Sequence, residues 1–275
     1  MGTAGAGTFP PGPTGAVVQG RLARLSLAGL QHAQELGGTS VEAFAARLYS
    51  WNRLPASAWR RVAWQADVLQ AEVSAAAGQE WALVAAGPPA GPWWAWQPRT
   101  RSPDAAAGIW KLYVSPQPTQ LGDAVRATLA ACSELPVASL KYGGDAQGML
   151  RPDKLVVHFT TKDAVHVAAT RLSPMLAGCP VHGVPFSGEL WGDGLISYGC
   201  DKPPGSPASR IGLSWRAWIT WRLAEALANP VEAELEPWRA ALDHVARAGV
   251  DPVTWAPAVD IWTFAEGVPP PGEVQ

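Results

Sequence analysis

The sequence predicts an α+β chain, with a mixed, mainly antiparallel central sheet and helical N- and C-terminal flanks. Three observations predict it. The hydrophobic period is helical before residue 109, strand-like between 109 and 204, and helical again from about residue 210. All five lysines (Lys111, Lys141, Lys154, Lys162 and Lys202) and all three cysteines fall in the middle stretch. Of the 15 tryptophans, only Trp110 and Trp191 lie there, and the rest belong to the flanks.

Residues 1–15 are rich in Gly, Pro, Thr and Ala and read as a disordered lead-in, without the basic start and apolar stretch of a signal peptide. A helical, Trp-rich flank is expected over 16–97. Leu22, Leu25, Leu27 and Leu30 recur at roughly helical spacing, Ser40 with Glu42 begins a capped helix, and Pro55 opens another through Trp59, Val62, Leu69 and Val73. The breaker cluster Gly87-Pro88-Pro89-Ala90-Gly91-Pro92 interrupts it, and 98–108 reads as a linker.

The α+β core is expected over 109–204. Strand candidates are Ile109–Val114, Val137–Tyr142, Asp153–Thr160, Val184–Leu190 and Leu195–Tyr198, with helices over Leu121–Cys132 and from Thr161 or Asp163 to Leu176. A second helical flank spans 205–266, with helices over Arg210–Ala228 and Val231–Ala248, and 267–275 is a Pro-rich tail. Trp215, Trp218 and Trp221 recur every three residues, which predicts a buried stripe.

A net charge of -2 excludes a general nucleic-acid binder. No run of 18 apolar residues predicts a membrane span. Cys132, Cys179 and Cys200 match no zinc pattern and read as reduced thiols in a cytoplasmic protein, and the five histidines show no metal spacing. Phosphate-loop, dinucleotide, zinc-protease and nucleophile-elbow motifs are all absent. Neither a metal nor a cofactor is expected.

The central third, roughly Trp110–Pro204, is where chemistry is expected, and lysine carries the signal. Arginine supplies the charge elsewhere, and only lysine can shed its proton to act as a base. Lys111 and Tyr113 share one strand face, as do Ser139 and Lys141, while Arg151 and Lys154 flank a turn into the next strand. If those strands are neighbours the cations converge on a pocket for an anion, phosphate above all. Chance clustering and the use of lysine on edge strands explain the same pattern without a pocket.

This block resembles the phosphothreonine lyase group: the type III secretion effector lyases, the Hop-type effector proteins and the lyase domains of lanthionine synthetases. The resemblance rests on Trp110-Lys111-Leu112-Tyr113-Val114, Ser139-Leu140-Lys141-Tyr142, Arg151 leading into Leu155-Val156-Val157-His158-Phe159, Gly183-Val184-Pro185-Phe186 and Ile196-Ser197-Tyr198. It implies that Lys141 takes the Cα proton of a phosphorylated Thr or Ser and that Arg151 holds the phosphate. The family's first strand supplies a histidine as acid, but Lys111–Val114 contains none, and Gly199-Cys200 stands where the family has an arginine. His158 is the candidate replacement for the acid.

The catalytic candidates are therefore Lys141, Lys111 and His158. The substrate-binding candidates are Arg151, Lys154, Tyr113 and Lys202. The expected activity is elimination of phosphate from a peptide, in peptide natural-product maturation or effector biology, with a phosphorylated peptide or protein as substrate and a kinase-like partner. The alternatives are an inactive module that binds a phosphorylated or otherwise anionic peptide, a scaffold in a bacterial multi-protein system, and a helical interaction protein built on the Trp-rich flanks.

Overall fold

The computed structural model describes residues 20–38, 40–55, 57, 65–87, 93–100, 109–202, 213–229, 236–258 and 261–262. The expected lead-in and tail, Trp59, Trp64 and most of the 98–108 linker lie outside the described residues.

Three helices come first: α1 (Arg21–Glu35), α2 (Val41–Ser50) and α3 (Gln65–Ala77). Ser40 caps α2, its hydroxyl oxygen accepting the Ala43 amide at 3.2 Å. Next come β1 (Trp81–Ala86) and β2 (Trp93–Pro98), where the sequence predicted helix. The breaker cluster lies between them in sequence, and its residues 88–92 lie outside the described residues. Then follow β3 (Trp110–Val114), α4 (Leu121–Ala131), β4 (Val137–Gly143), α5 (Ala146–Met149), β5 (Leu155–Phe159), α6 (Lys162–Met175), β6 (Gly188–Leu190) and β7 (Ile196–Cys200). Thr161 caps α6. The strand expected over Val184–Leu190 shrinks to its last three residues, because Pro185 offers no amide and Phe186 takes a φ of 60°. Helices α7 (Trp215–Ala228) and α8 (Pro237–Arg247) close the fold.

The seven strands form one sheet in the order β1-β2-β4-β5-β3-β7-β6, and every described pairing is antiparallel. Alternation along each strand sends side chains to opposite faces. Trp110, Leu112, Val114, Leu140, Tyr142, Leu155, Val157 and Phe159 point to one face, where α3, α4 and α6 seal the larger core. The opposite face meets a second core from α1, α2, α7 and α8, in which Tyr113 and Val156 are the strand contributions. Trp215 is fully buried there, while Trp218 and Trp221 are half-buried. A tryptophan side chain buries on the order of 200 Å², so the Trp-rich C-terminal helix α7 is built into the core.

Candidate functional site

Register decides which polar side chains meet. Across β4, β5 and β3, Ser139 pairs with His158 and His158 with Lys111; one step along, Lys141 pairs with Val156 and Val156 with Tyr113. Cross-strand partners share a face. Ser139, Lys141, His158, Lys111 and Tyr113 therefore sit on one surface, the one facing α2 and α7. All three predicted catalytic residues, Lys141, Lys111 and His158, occupy neighbouring positions on it.

Each cation has a defined environment. Lys111 is 4% exposed, and its Nζ lies 2.6 Å from Asp201 Oδ2, just past β7. The other Asp201 oxygen accepts the Trp215 amide at the start of α7 (2.7 Å), tying that helix to the lysine. Gly199 pairs with Lys111 across β7, and a Cβ there would meet the Trp215 indole at 2.3 Å, so glycine is what lets α7 approach the sheet. Arg151 donates to both Asp153 oxygens, at 2.9 and 3.1 Å, and to the Tyr49 phenol at 2.8 Å. Arg216, 1% exposed on α7, reaches the same Asp153 carboxylate at 3.1 Å.

Burial, then the neighbouring Lys111, pulls the Lys141 amine below the ordinary lysine range; Asp201 and Asp153 oppose this, and Arg151 adds to it. Burial, Lys111 and Lys141 hold His158 well below the usual imidazole value, against the bond it makes at Ser139. Its Nδ1 lies 3.1 Å from the Ser139 hydroxyl. His158 is thus neutral at pH 7, which disfavours the role of charged acid expected for it. Burial and then Asp201 keep the Tyr113 phenol protonated far above its normal range.

The other substrate-binding candidates fare differently. Lys154 is fully buried, with Nζ 2.9 Å from the Pro116 carbonyl and 2.5 Å from His182 Nδ1. His182 in turn donates from Nε2 to the Asn52 carbonyl at 2.6 Å. Lys154 thus ties β5 to the chain beyond β3 and cannot touch a substrate in this state. Lys202 lies beyond β7 with its ammonium 5.7 Å from the Trp262 ring.

The site also draws on residues outside the central third. Tyr49 comes from α2, Trp93 from β2 and Arg216 from α7, and Trp93 lies 5.0 Å from Lys141 Nζ and 5.1 Å from the Arg151 guanidinium. The carboxylates Asp153 and Asp201 also went unnoticed in the sequence, although each adjoins a lysine there. Four cations face two carboxylates, leaving an excess of two positive charges when Lys141 is protonated. That excess matches a phosphomonoester dianion. Among the described residues no group of His, Cys, Asp and Glu is arranged to hold a metal ion, and no helix is long and apolar enough to cross a membrane.

No protein-family model matches the chain, and no curated protein does. Solved structures do. An effector protein from Pseudomonas syringae pv. tomato strain DC3000 matches with a TM-score of 0.55 at 14% identity, covering 86% of this chain and 99% of that one. An effector protein from Pseudomonas syringae pv. syringae strain 61 matches with a TM-score of 0.51 at 13% identity and the same coverage. A phosphothreonine lyase effector from Chromobacterium violaceum aligns over 45% of this chain and 66% of its own, at 14% identity and a TM-score of 0.38. The chain has the fold of the Pseudomonas syringae effector proteins.

Proposed function

We propose that this protein is a phosphothreonine or phosphoserine lyase-like enzyme that eliminates phosphate from a peptide, with Lys141 as the base. The observation that carries the reading is the convergence of Lys141, Lys111 and His158 on neighbouring positions of one sheet face, with Arg151 beside them. A lysine whose amine is pulled below its ordinary range by burial and a second cation gives up its proton more readily than a free lysine, and so is better suited to act as a base. The resemblance of the β3, β4 and β5 segments to the phosphothreonine lyase group points the same way.

In this reading the phosphate lies against Arg151 and Lys111. The Lys141 amine takes the Cα proton, the released electron pair forms the Cα–Cβ double bond, and the Cβ–O bond breaks. A dianionic ester would leave as fully deprotonated phosphate, a poor leaving group, so departure needs a proton. Because His158 is held neutral, the Lys111 ammonium is assigned as that donor, and the phosphate leaves as its dianion. Lys141 and Lys111 then exchange protons with solvent to restore the starting state. Ser139 lines the same face, half-buried, and orients the substrate, while Tyr113, sealed in the second core, supports that face from within.

A second reading, a non-catalytic module that binds a phosphorylated peptide, is favoured by one observation: β3 carries no histidine, where the lyase group has its acid. Mass spectrometry of phosphothreonine and phosphoserine peptides incubated with the protein separates the two. Loss of phosphoric acid, leaving a dehydrated residue, supports the lyase. Binding with an unchanged peptide mass supports the module. A peptide neither bound nor changed refutes both.

A further inference from the structure

Alternating cations and aromatic rings run through the site as a ladder. Lys141 Nζ is 5.0 Å from the Trp93 ring centroid, and the Arg151 guanidinium is 5.1 Å from the same ring. Arg151 is also 5.6 Å from the Tyr49 ring, and Arg216 is 4.9 Å from it. Trp93 starts β2, directly opposite Gly143 on β4, two residues from Lys141 and on the same face.

We propose that Trp93 is a positioning residue of the site, whose indole, shared by the Lys141 amine and the Arg151 guanidinium, fixes the separation of base and phosphate ligand. Two like charges close together repel, and the face of an aromatic ring attracts both. One ring in contact with both cations holds them near each other without a carboxylate between them, so Lys141 keeps a free lone pair when it deprotonates. What the positioned groups do rests on the lyase reading; the positioning itself does not. It also gives the N-terminal strands a place in the site, because β2 supplies the ring.

The groups that face or surround the amine are Lys111 from β3, His158 from β5, Ser139 from β4 itself, Arg151 and Asp153 ahead of β5, and Asp201 beyond β7. These stay constant when only Trp93 is changed. The chain has five lysines, so an NMR titration of the full chain labelled with carbon-13 at lysine Cε resolves Lys141, with Lys141→Arg identifying its signal. Trp93→Phe keeps a ring and should titrate as the native chain does. Trp93→Leu keeps apolar cover but loses the ring's attraction for the ammonium, so Lys141 should titrate lower by about half a unit. An unchanged titration in Trp93→Leu overturns the proposal.

Phosphate release from a phosphothreonine peptide is the second arm. Trp93→Leu should raise KM, by loosening Arg151, and should lower kcat, with Trp93→Phe restoring both. If the native chain releases no phosphate, the lyase reading fails, and the titration still decides whether Trp93 positions the lysine.

Discussion

Asp153→Asn tests the electrostatic frame of the site. Asp153 is 7% exposed and Arg216 1% exposed, and one carboxylate serves both Arg216 and Arg151. The amide keeps the shape and removes the charge, leaving a buried guanidinium without its counter-ion. Breaking one side of a buried pair in this way costs about 3–5 kcal/mol. Arg216 keeps its bonds to the Pro185 and Tyr49 carbonyls, at 3.1 and 3.0 Å, which favours the lower end. For a chain of this size each kcal/mol moves Tm by about 2–4 °C, so Tm should fall by roughly 6–20 °C. Guanidinium unfolding followed by tryptophan fluorescence reads it directly. Burial pushes the Asp153 carboxyl up, but Arg216 and Arg151 pull harder and hold it well below the usual carboxylate range. Its contribution is therefore full above the unfolded value of about 3.9 and is lost as pH falls through the folded one. The native chain should lose stability below about pH 4 with a steepness that Asp153→Asn lacks. A loss under about 1 kcal/mol, the scale of an exposed ion pair, would refute the account of a buried, shared carboxylate.

Two further predictions concern the scaffold. Burial brings the Lys154 amine down to about 7, against the pull of Asp153, so between that value and its ordinary one the unfolded chain holds more protons. Stability should rise from pH 7 to pH 9 by on the order of 2 kcal/mol, and chemical unfolding of Lys154→Met should show no such rise. Gly143→Ala would place a Cβ 2.4 Å from the Gly148 carbonyl carbon, a backbone atom that cannot turn aside. It should cost about 1–3 kcal/mol or more in the same unfolding assay, and an unchanged midpoint would mean that the β4–α5 turn is looser than described.

The sequence made the central strands legible because β3 and β5 are apolar runs bounded by turns, and because register converts shared parity into a shared face. Lys111 could be placed with Tyr113 and Lys141 with Ser139 on that basis, whereas His158 entered only through the family resemblance. β1 was not legible: Trp81-Ala-Leu-Val-Ala-Ala lacks alternation, and its alanines suit a helix as well as a strand. Trp93 followed a breaker cluster and read as flank packing. Arg216 was hidden in the tryptophan stripe of α7, where no local pattern announces a buried cation. Its role depends on Asp153 lying opposite it, a tertiary contact between residues 63 positions apart. Lys154 misled for the complementary reason: a lysine beside a turn looks exposed, and only the fold shows it closed in by His182 and Pro116.

In the proposed reaction Lys141 is a base and not merely a charge. Lys141→Arg keeps the cation and removes the group that can give up its proton. The measurement is a comparison of native and Lys141→Arg chains on one phosphothreonine peptide, reading the dehydrated product by mass spectrometry and phosphopeptide binding by calorimetry. Binding should survive within a few-fold while elimination is abolished. Elimination at the native rate by Lys141→Arg would contradict that role.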